Sequence, residues 1–171
     1  MAKIKHHSLT GRITLDLMHR AFRNVRKNRG AAGIDKVSIS MFEANLEQNL
    51  LALMRDLKTR GAFSALPLRR TYIPKGPGQT RPLGIPAVRD RVAQEVLRQI
   101  LSPLFERLFH EDSYGFRPHR SCHLAVAKVV ELHRLGYTHA LDADIKGFFD
   151  NLSHDAIMTA LRAEVDRKST V

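Results

Sequence analysis

Asp142 and Asp144 are the residues of this chain best placed, by type and spacing, to do chemistry. They lie in Ala140-Leu141-Asp142-Ala143-Asp144-Ile145-Lys146-Gly147-Phe148-Phe149-Asp150, where Leu141, Ala143 and Ile145 alternate with carboxylates. Period-two alternation predicts a strand over 140–145 with both aspartates on one face, ended by Lys146-Gly147. Two carboxylates near a strand end offer the hard oxygen ligands that Mg²⁺ prefers. The same pattern fits two solvated aspartates on the polar side of an edge strand. Spacing alone leaves both readings open.

A second chemical set is basic. Residues 68–73 and 81–85 read as the arms of a protruding hairpin, with Pro74 ending the first arm and 75–80 forming the loop. Pro82 and Pro86 place the return arm at an edge. Gly76 and Gly78 let backbone approach a phosphate, and Lys75 and Arg81 supply charge at both ends of the loop. This is no Walker A sequence, and an ordinary surface hairpin accounts for it equally well. Asp112-Ser113-Tyr114-Gly115-Phe116-Arg117-Pro118 is a turn-rich segment with an exposed-looking aromatic pair and an arginine.

The elements that must position these groups are mostly helices. Leu15, Leu17, Met18, Ala21, Phe22 and Val25 have helical spacing, with Arg20, Arg23 and Arg26 interleaved, and Gly30 is the predicted end. Ser40 followed by Glu43 has the capping-box pattern and predicts one helix from there to about Thr59, closed by Gly61. Val92, Ala93, Val96, Leu97, Ile100 and Leu101 form another apolar stripe. Ser102-Pro103 then reads as the cap and first residue of a further helix bearing Leu104, Phe105, Leu108 and Phe109. Ser121 opens a helix through Leu132 that closes at Gly136, and Ser153 caps the last one.

Composition narrows the partner. Lys and Arg number 28 against 17 Asp and Glu, a formal net charge of +11, which points to a polyanion and most simply to nucleic acid. Hydrophobic residues at 43% and charged residues at 26% fit a globular chain with a real core. No apolar run approaches the roughly 20 residues needed to cross a bilayer, and the first residues lack the apolar stretch of a secretory signal. Cys122 is the single cysteine, which excludes an internal disulfide and fits a cytoplasmic setting.

Taken together, four stretches resemble the reverse transcriptases encoded by group II introns, the maturase type. They are Asn28-Arg29-Gly30-Ala31-Ala32-Gly33-Ile34-Asp35; Tyr72-Ile73-Pro74-Lys75-Gly76-Pro77-Gly78-Gln79-Thr80-Arg81-Pro82-Leu83-Gly84-Ile85-Pro86; Ser113-Tyr114-Gly115-Phe116-Arg117-Pro118 with Arg120 and Ser121; and Asp144 to Asp150 followed by His154. The resemblance implies an α+β fragment of a right-hand polymerase, mostly helical, with a protruding β-hairpin and an incomplete palm sheet. It implies a basic extension over about 1–35, fingers and the start of the palm over 36–135, and a palm strand with its following helix over 136–171.

The resemblance also implies roles. Asp144 matches the first metal-binding, catalytic aspartate, and the backbone carbonyl of Ile145 the second oxygen, for two Mg²⁺ ions in the complete enzyme. Lys75, Arg81 and Phe149 match nucleotide-binding positions. Arg117 lies in the segment beside the template, and Arg120, Arg69 and Arg70 are expected to bind template with it. His119 stands where the family usually has glycine. The family's aromatic-Ala-Asp-Asp motif has no counterpart after Asp150. The expectation is therefore an RNA-directed DNA polymerase fragment that holds RNA template, intron RNA in particular, and is inactive alone. DNA primer and dNTPs would be partners of the complete enzyme only, and no membrane is expected. A palm strand without its neighbour would leave an edge open to self-association or a completing chain. The alternative is a non-catalytic RNA-binding module that assists intron RNA folding or splicing.

Overall fold

The computed structural model describes residues 9–148 and 151–165. Six α-helices, short 3₁₀ turns and one antiparallel hairpin make up the regular structure among these residues, an α+β composition in which helix predominates. They divide into two compact units, 9–102 and 103–165.

In the first unit, α1 (Leu15–Lys27) begins where Thr14 Oγ1 accepts the Leu17 N–H at 3.2 Å. Its predicted stripe is its buried face: Leu17, Met18, Ala21, Phe22 and Val25. The helix stops before Gly30. Asn28 is its last cap and Arg29 turns into the left-handed region at φ +48°. Gly30 and Gly33 serve a different end. A Cβ on Gly33 would stand 2.6 Å from the Ala87 Cα, so the connector can lie against Pro86-Ala87 only without a side chain there.

The single helix expected over 40–59 is two. Ser38, two residues before the expected cap, accepts the Met41 N–H at 3.1 Å and starts α2 (Ile39–Ala44). Asn45, at φ −123° and ψ +41°, breaks the run, and α3 (Leu46–Lys58) follows. The Asn49 side chain donates to the Phe42 carbonyl at 2.8 Å, so a polar side chain satisfies backbone that a straight helix would have bonded. α4 (Val88–Phe105) also departs from expectation by running through Ser102-Pro103. Pro103 falls in the last turn, and the chain passes to a 3₁₀ turn over Glu106–Leu108 directly afterwards.

The core of this unit brings together α1, Phe42 of α2, Leu50 and Leu53 of α3, and Val88, Val92, Ala93, Val96 and Ile100 of α4. The Phe22 and Phe42 rings stack at 5.7 Å between centroids. The hairpin pairs β1 (Arg69–Gly76) with β2 (Gln79–Ile85). Both arms run further than predicted, because Pro74 stands opposite Thr80 inside the ladder of a two-stranded ribbon whose outer edges need no N–H donor.

In the second unit, α5 (Cys122–Arg134) starts at Ser121 and α6 (His154–Glu164) at Ser153, as expected from their caps. The predicted strand over 140–145 does not form. Leu141 is 94% exposed and Ile145 67%, and β1 and β2 are the only paired strands among the described residues. Alternation selects a face only where a neighbouring strand and an apolar surface are present to reward it. Without a ladder at 140–145, the expected palm edge is likewise not formed among these residues. The turn after it does appear, over 146–148, and the Asn151 side chain anchors it by donating to the Gly147 carbonyl at 2.8 Å.

Candidate nucleic-acid interface

The hairpin is anchored at its base by charged residues that spacing did not single out. Asp90 is 3% exposed, and its Oδ2 accepts the Leu66 N–H at 2.9 Å, just ahead of β1. Arg89 donates to the Ser64 carbonyl at 3.1 Å and to Asp56 at 2.8 Å, with its guanidinium 4.8 Å from the Phe63 ring centroid. The two residues fix the 63–66 segment from which the hairpin emerges. As an acid in the first turn of α4, Asp90 carried an ordinary helix-dipole signal. Its burial was not legible.

Along the ribbon, register decides what is brought together. Ile73 pairs with Arg81, so Arg69, two pleats back from Ile73, shares a face with Arg81, while Arg70 and Tyr72 take the opposite face with Pro82 and Gly84. Four residues of strand separate the Arg69 and Arg81 positions, roughly 13 Å at 3.3 Å per residue. Lys75 falls at the irregularity between Pro74 and Gly76. Pro77 and Gly78 make the turn, with Gly78 at φ +70°, the left-handed position that follows proline in a type II turn. Arg69, Arg70, Lys75 and Arg81 are all exposed, and no carboxylate lies within ion-pair distance of any of them among the described residues.

A second basic surface lies along the solvent side of α1, where Arg23, Arg26, Lys27 and Arg29 line a shallow concavity. Arg26 is paired with Glu43 at 2.9 Å. The helix is held to α4 by Asn24, which donates to Glu95 at 2.7 Å. The hydrogen bond from Arg98, ahead of those from Asn24 and Gln99, holds the Glu95 carboxyl down at about 2, against an ordinary 4.5. Burial lowers the Arg91 guanidinium and Asp35 partly restores it; Arg91 also donates to the Ala31 carbonyl at 2.6 Å. The connector after α1 is thus tied down from beneath.

In the second unit, Arg117 is not disposed as a groove-lining arginine. Its side chain is 8% exposed. Nε and one terminal nitrogen donate to Glu106 Oε1 at 2.9 and 2.8 Å, and the other terminal nitrogen donates to the carbonyls of His110 and Ser113 at 2.6 and 2.8 Å. The guanidinium lies 5.3 Å from the Phe109 ring centroid. Glu106, eleven residues upstream, gave no signal in the sequence. Arg120 sits over the Tyr114 ring at 5.4 Å, and Phe116 stands fully in solvent.

Asp142, Asp144 and Ile145 lie in the exposed segment before the 146–148 turn, and Phe149 falls outside the described residues. A carboxylate and a neighbouring carbonyl are oxygen donors of the kind that suits Mg²⁺, which keeps several waters. No three acidic, histidine or cysteine side chains gather into a metal-binding group among the described residues. The donors therefore fit a magnesium ion in kind, and in number they fit a share of one coordination sphere. Lys75, Arg81, Arg69 and Arg70 belong to the first unit; Asp144, Ile145, Arg117 and Arg120 belong to the second. No helix among the described residues is long and apolar enough to cross a membrane.

Residues 73–168 match the family described as reverse transcriptase (RNA-dependent DNA polymerase). The chain is 39% identical over 143 residues to protein YkfC of Escherichia coli, covering 81% of this chain and 37% of that protein. It is 35% identical over 153 residues to the group II intron-encoded protein LtrA of Lactococcus lactis, covering 88% of this chain and 25% of that one. It is 38% identical over 84 residues to the mitochondrial nuclear intron maturase 1 of Arabidopsis thaliana, covering 48% of this chain and 12% of the relative. The chain thus spans between a quarter and about two fifths of the first two relatives. A match over more than half its length, falling on the hairpin, the Arg117 segment and Asp144 alike, places this chain in the reverse transcriptase family, among the group II intron reverse transcriptases and maturases.

Proposed function

We propose that this chain is the RNA-holding part of an RNA-directed DNA polymerase of the group II intron type, comprising fingers and the start of the palm and inactive on its own. The observation that carries the proposal is the hairpin, which exposes Arg69, Arg70, Lys75 and Arg81 with no carboxylate partner among the described residues. Folding gains little from solvated, unpaired cations, whereas a phosphate backbone gains much from them through release of its counterions. Arg69 and Arg81 on one face would follow a strand of RNA template, with Lys75 and Arg81 reaching toward the triphosphate of a dNTP in the complete enzyme. The segments 1–35, 36–135 and 136–171 serve as extension, fingers with early palm, and later palm. Intron RNA is the partner that the intron-encoded relatives favour, in a cytoplasmic setting that suits the exposed lone thiol of Cys122.

Asp144 and the Ile145 carbonyl would hold one share of a magnesium centre of two ions in the complete enzyme, with the rest of the ligands supplied outside the described residues. The metal, when bound, neutralises charge during phosphoryl transfer. This chain's own part is to present those two oxygens, and Phe149 is proposed to lie under the incoming sugar. A non-catalytic module assisting intron folding or splicing is the second reading; the free basic surface serves it equally, and the maturase relative favours it.

The test is RNA binding by the 171-residue chain titrated against salt, with primer extension on the same sample. The expected result is binding whose log affinity falls with log salt by about 0.7 per phosphate contact, and no extension. Arg69→Ala and Arg81→Ala should each remove about 0.7 from that slope. Absence of RNA binding at low salt would overturn both readings. Extension that Asp144→Ala abolishes would overturn the claim of inactivity alone.

A further inference from the structure

The Arg117 side chain has the wrong environment for an arginine that meets nucleic acid and the right one for an arginine that shapes a loop. Four of its hydrogen bonds end inside the same segment, on Glu106, the His110 carbonyl and the Ser113 carbonyl, and Phe109 covers one face of its guanidinium. At 8% exposure little of the fork is left for a phosphate. The residue immediately before it, Phe116, is in the opposite situation. Its backbone sits at φ +57°, a region that bulky side chains rarely adopt, and its ring is as exposed as in a free peptide. Such a backbone persists only where surrounding contacts over-determine it, and the Arg117 fork supplies those contacts. Of the two aromatics here, Tyr114 already has Arg120 over its ring at 5.4 Å, so Phe116 is the one with an open face.

We infer that Arg117 is a positioning residue that holds Phe116 out as a stacking platform for an unpaired nucleobase, and does not itself contact the nucleic acid. An exposed aromatic beside a basic side chain is the arrangement by which proteins take single-stranded bases without reading their sequence. Arg120, four residues along the chain and over the Tyr114 ring, is the positive charge of the same segment that Arg117 does not supply. The alternative occupant of an exposed ring is protein. The net charge of +11 and the membership of a polymerase family favour a nucleobase. This inference rests on the proposed function for the identity of its ligand.

The experiment uses the full chain and a single-stranded RNA carrying 2-aminopurine, read by fluorescence quenching across a salt series. Phe116→Leu is expected to weaken binding about 5- to 150-fold, the range for one lost base stack, with the salt slope unchanged and the quenching diminished. Phe116→Tyr should keep both. Arg117→Gln is expected to weaken binding to a similar extent with the slope unchanged, and to add little when combined with Phe116→Leu, because both act on one contact. A fall of about 0.7 in slope with Arg117→Gln, additive to Phe116→Leu, would overturn the positioning role and make Arg117 a phosphate ligand. Unchanged affinity and quenching with Phe116→Leu would overturn the platform. The exposed ring makes that variant informative even if Arg117→Gln does not fold. Wild-type chain that fails to bind RNA removes the proposed function itself, a result distinct from either.

Discussion

Helices α1 and α5 are both thirteen residues long, both begin at a hydroxyl side chain that accepts an N–H, and both end in basic residues. α1 buries five of its side chains, whereas α5 buries none, and its Val126 and Val129 are each more than 60% exposed. Capping and periodicity made both helices; they did not decide which would have an interior. α1 meets the apolar stripes of α3 and α4, so each side chain it removes from water is covered by another. α5 has good local signals and no comparable surface over it among the described residues. The candidate interface shows the same division. The hairpin projects from a packed base, while the Arg117 segment is held by a polar clamp of its own.

The sharpest test of that contrast is a matched pair of truncations. Phe22→Ala should cost about 3–5 kcal/mol by chemical denaturation, since a fully buried ring leaves a cavity against Phe42. Val129→Ala should change stability by less than about 0.5 kcal/mol, as exposed positions do. Equal losses at the two sites would mean that α5 is covered in solution, and would remove the contrast. Next in size, Asp90→Ala removes the buried acceptor of the Leu66 N–H and should cost about 1–3 kcal/mol. It should also raise amide exchange at 64–69, at the foot of the hairpin, and leave exchange in α5 unchanged.

Two further effects refine the comparison. Ser38→Ala and Ser121→Ala each remove a helix cap worth about 1 kcal/mol. The first should lower the stability of the packed unit as a whole; the second should register mainly as faster exchange in the first turn of α5. The other effect is acid sensitivity at Glu95. Its carboxyl is held below its ordinary value in the folded chain, so the stability it contributes is fully present above pH 4.5 and is lost as the pH falls toward about 2. Glu95→Gln should flatten the pH dependence of the denaturation midpoint across that interval, and no flattening would show that Arg98 and Asn24 do not favour the charged form.

Much of this was readable in advance where the cause is local. Thr59 ends α3, Ser121 and Ser153 cap their helices, and the hairpin turns at Pro77 and Gly78 inside the expected loop, although its arms run past the Pro74 boundary. Where the cause is distant, the reading failed. The break between α2 and α3 at Asn45 is held by the Asn49 side chain, which bonds the Phe42 carbonyl seven residues back. The strand expected over 140–145 depends on a neighbour, and spacing does not supply one. Among the candidate site residues, the exposure of Arg69, Arg70, Lys75 and Arg81 follows from the hairpin. The internal bonding of Arg117 does not, because Glu106 is eleven residues away.

The sequence by itself determined α1, α5 and α6, the presence of the hairpin, the excess of positive charge and, through short motifs at their proper spacing, the family. Each depends on interactions within a few residues or on composition, which survive without knowledge of the fold. Only the tertiary structure decided that Arg69 and Arg81 share a face, that Asp90 is buried beneath the hairpin and that Arg117 is spent on its own loop. Register, burial and the capture of a side chain by a remote partner are relations between segments, and their energies exist only once the segments have met.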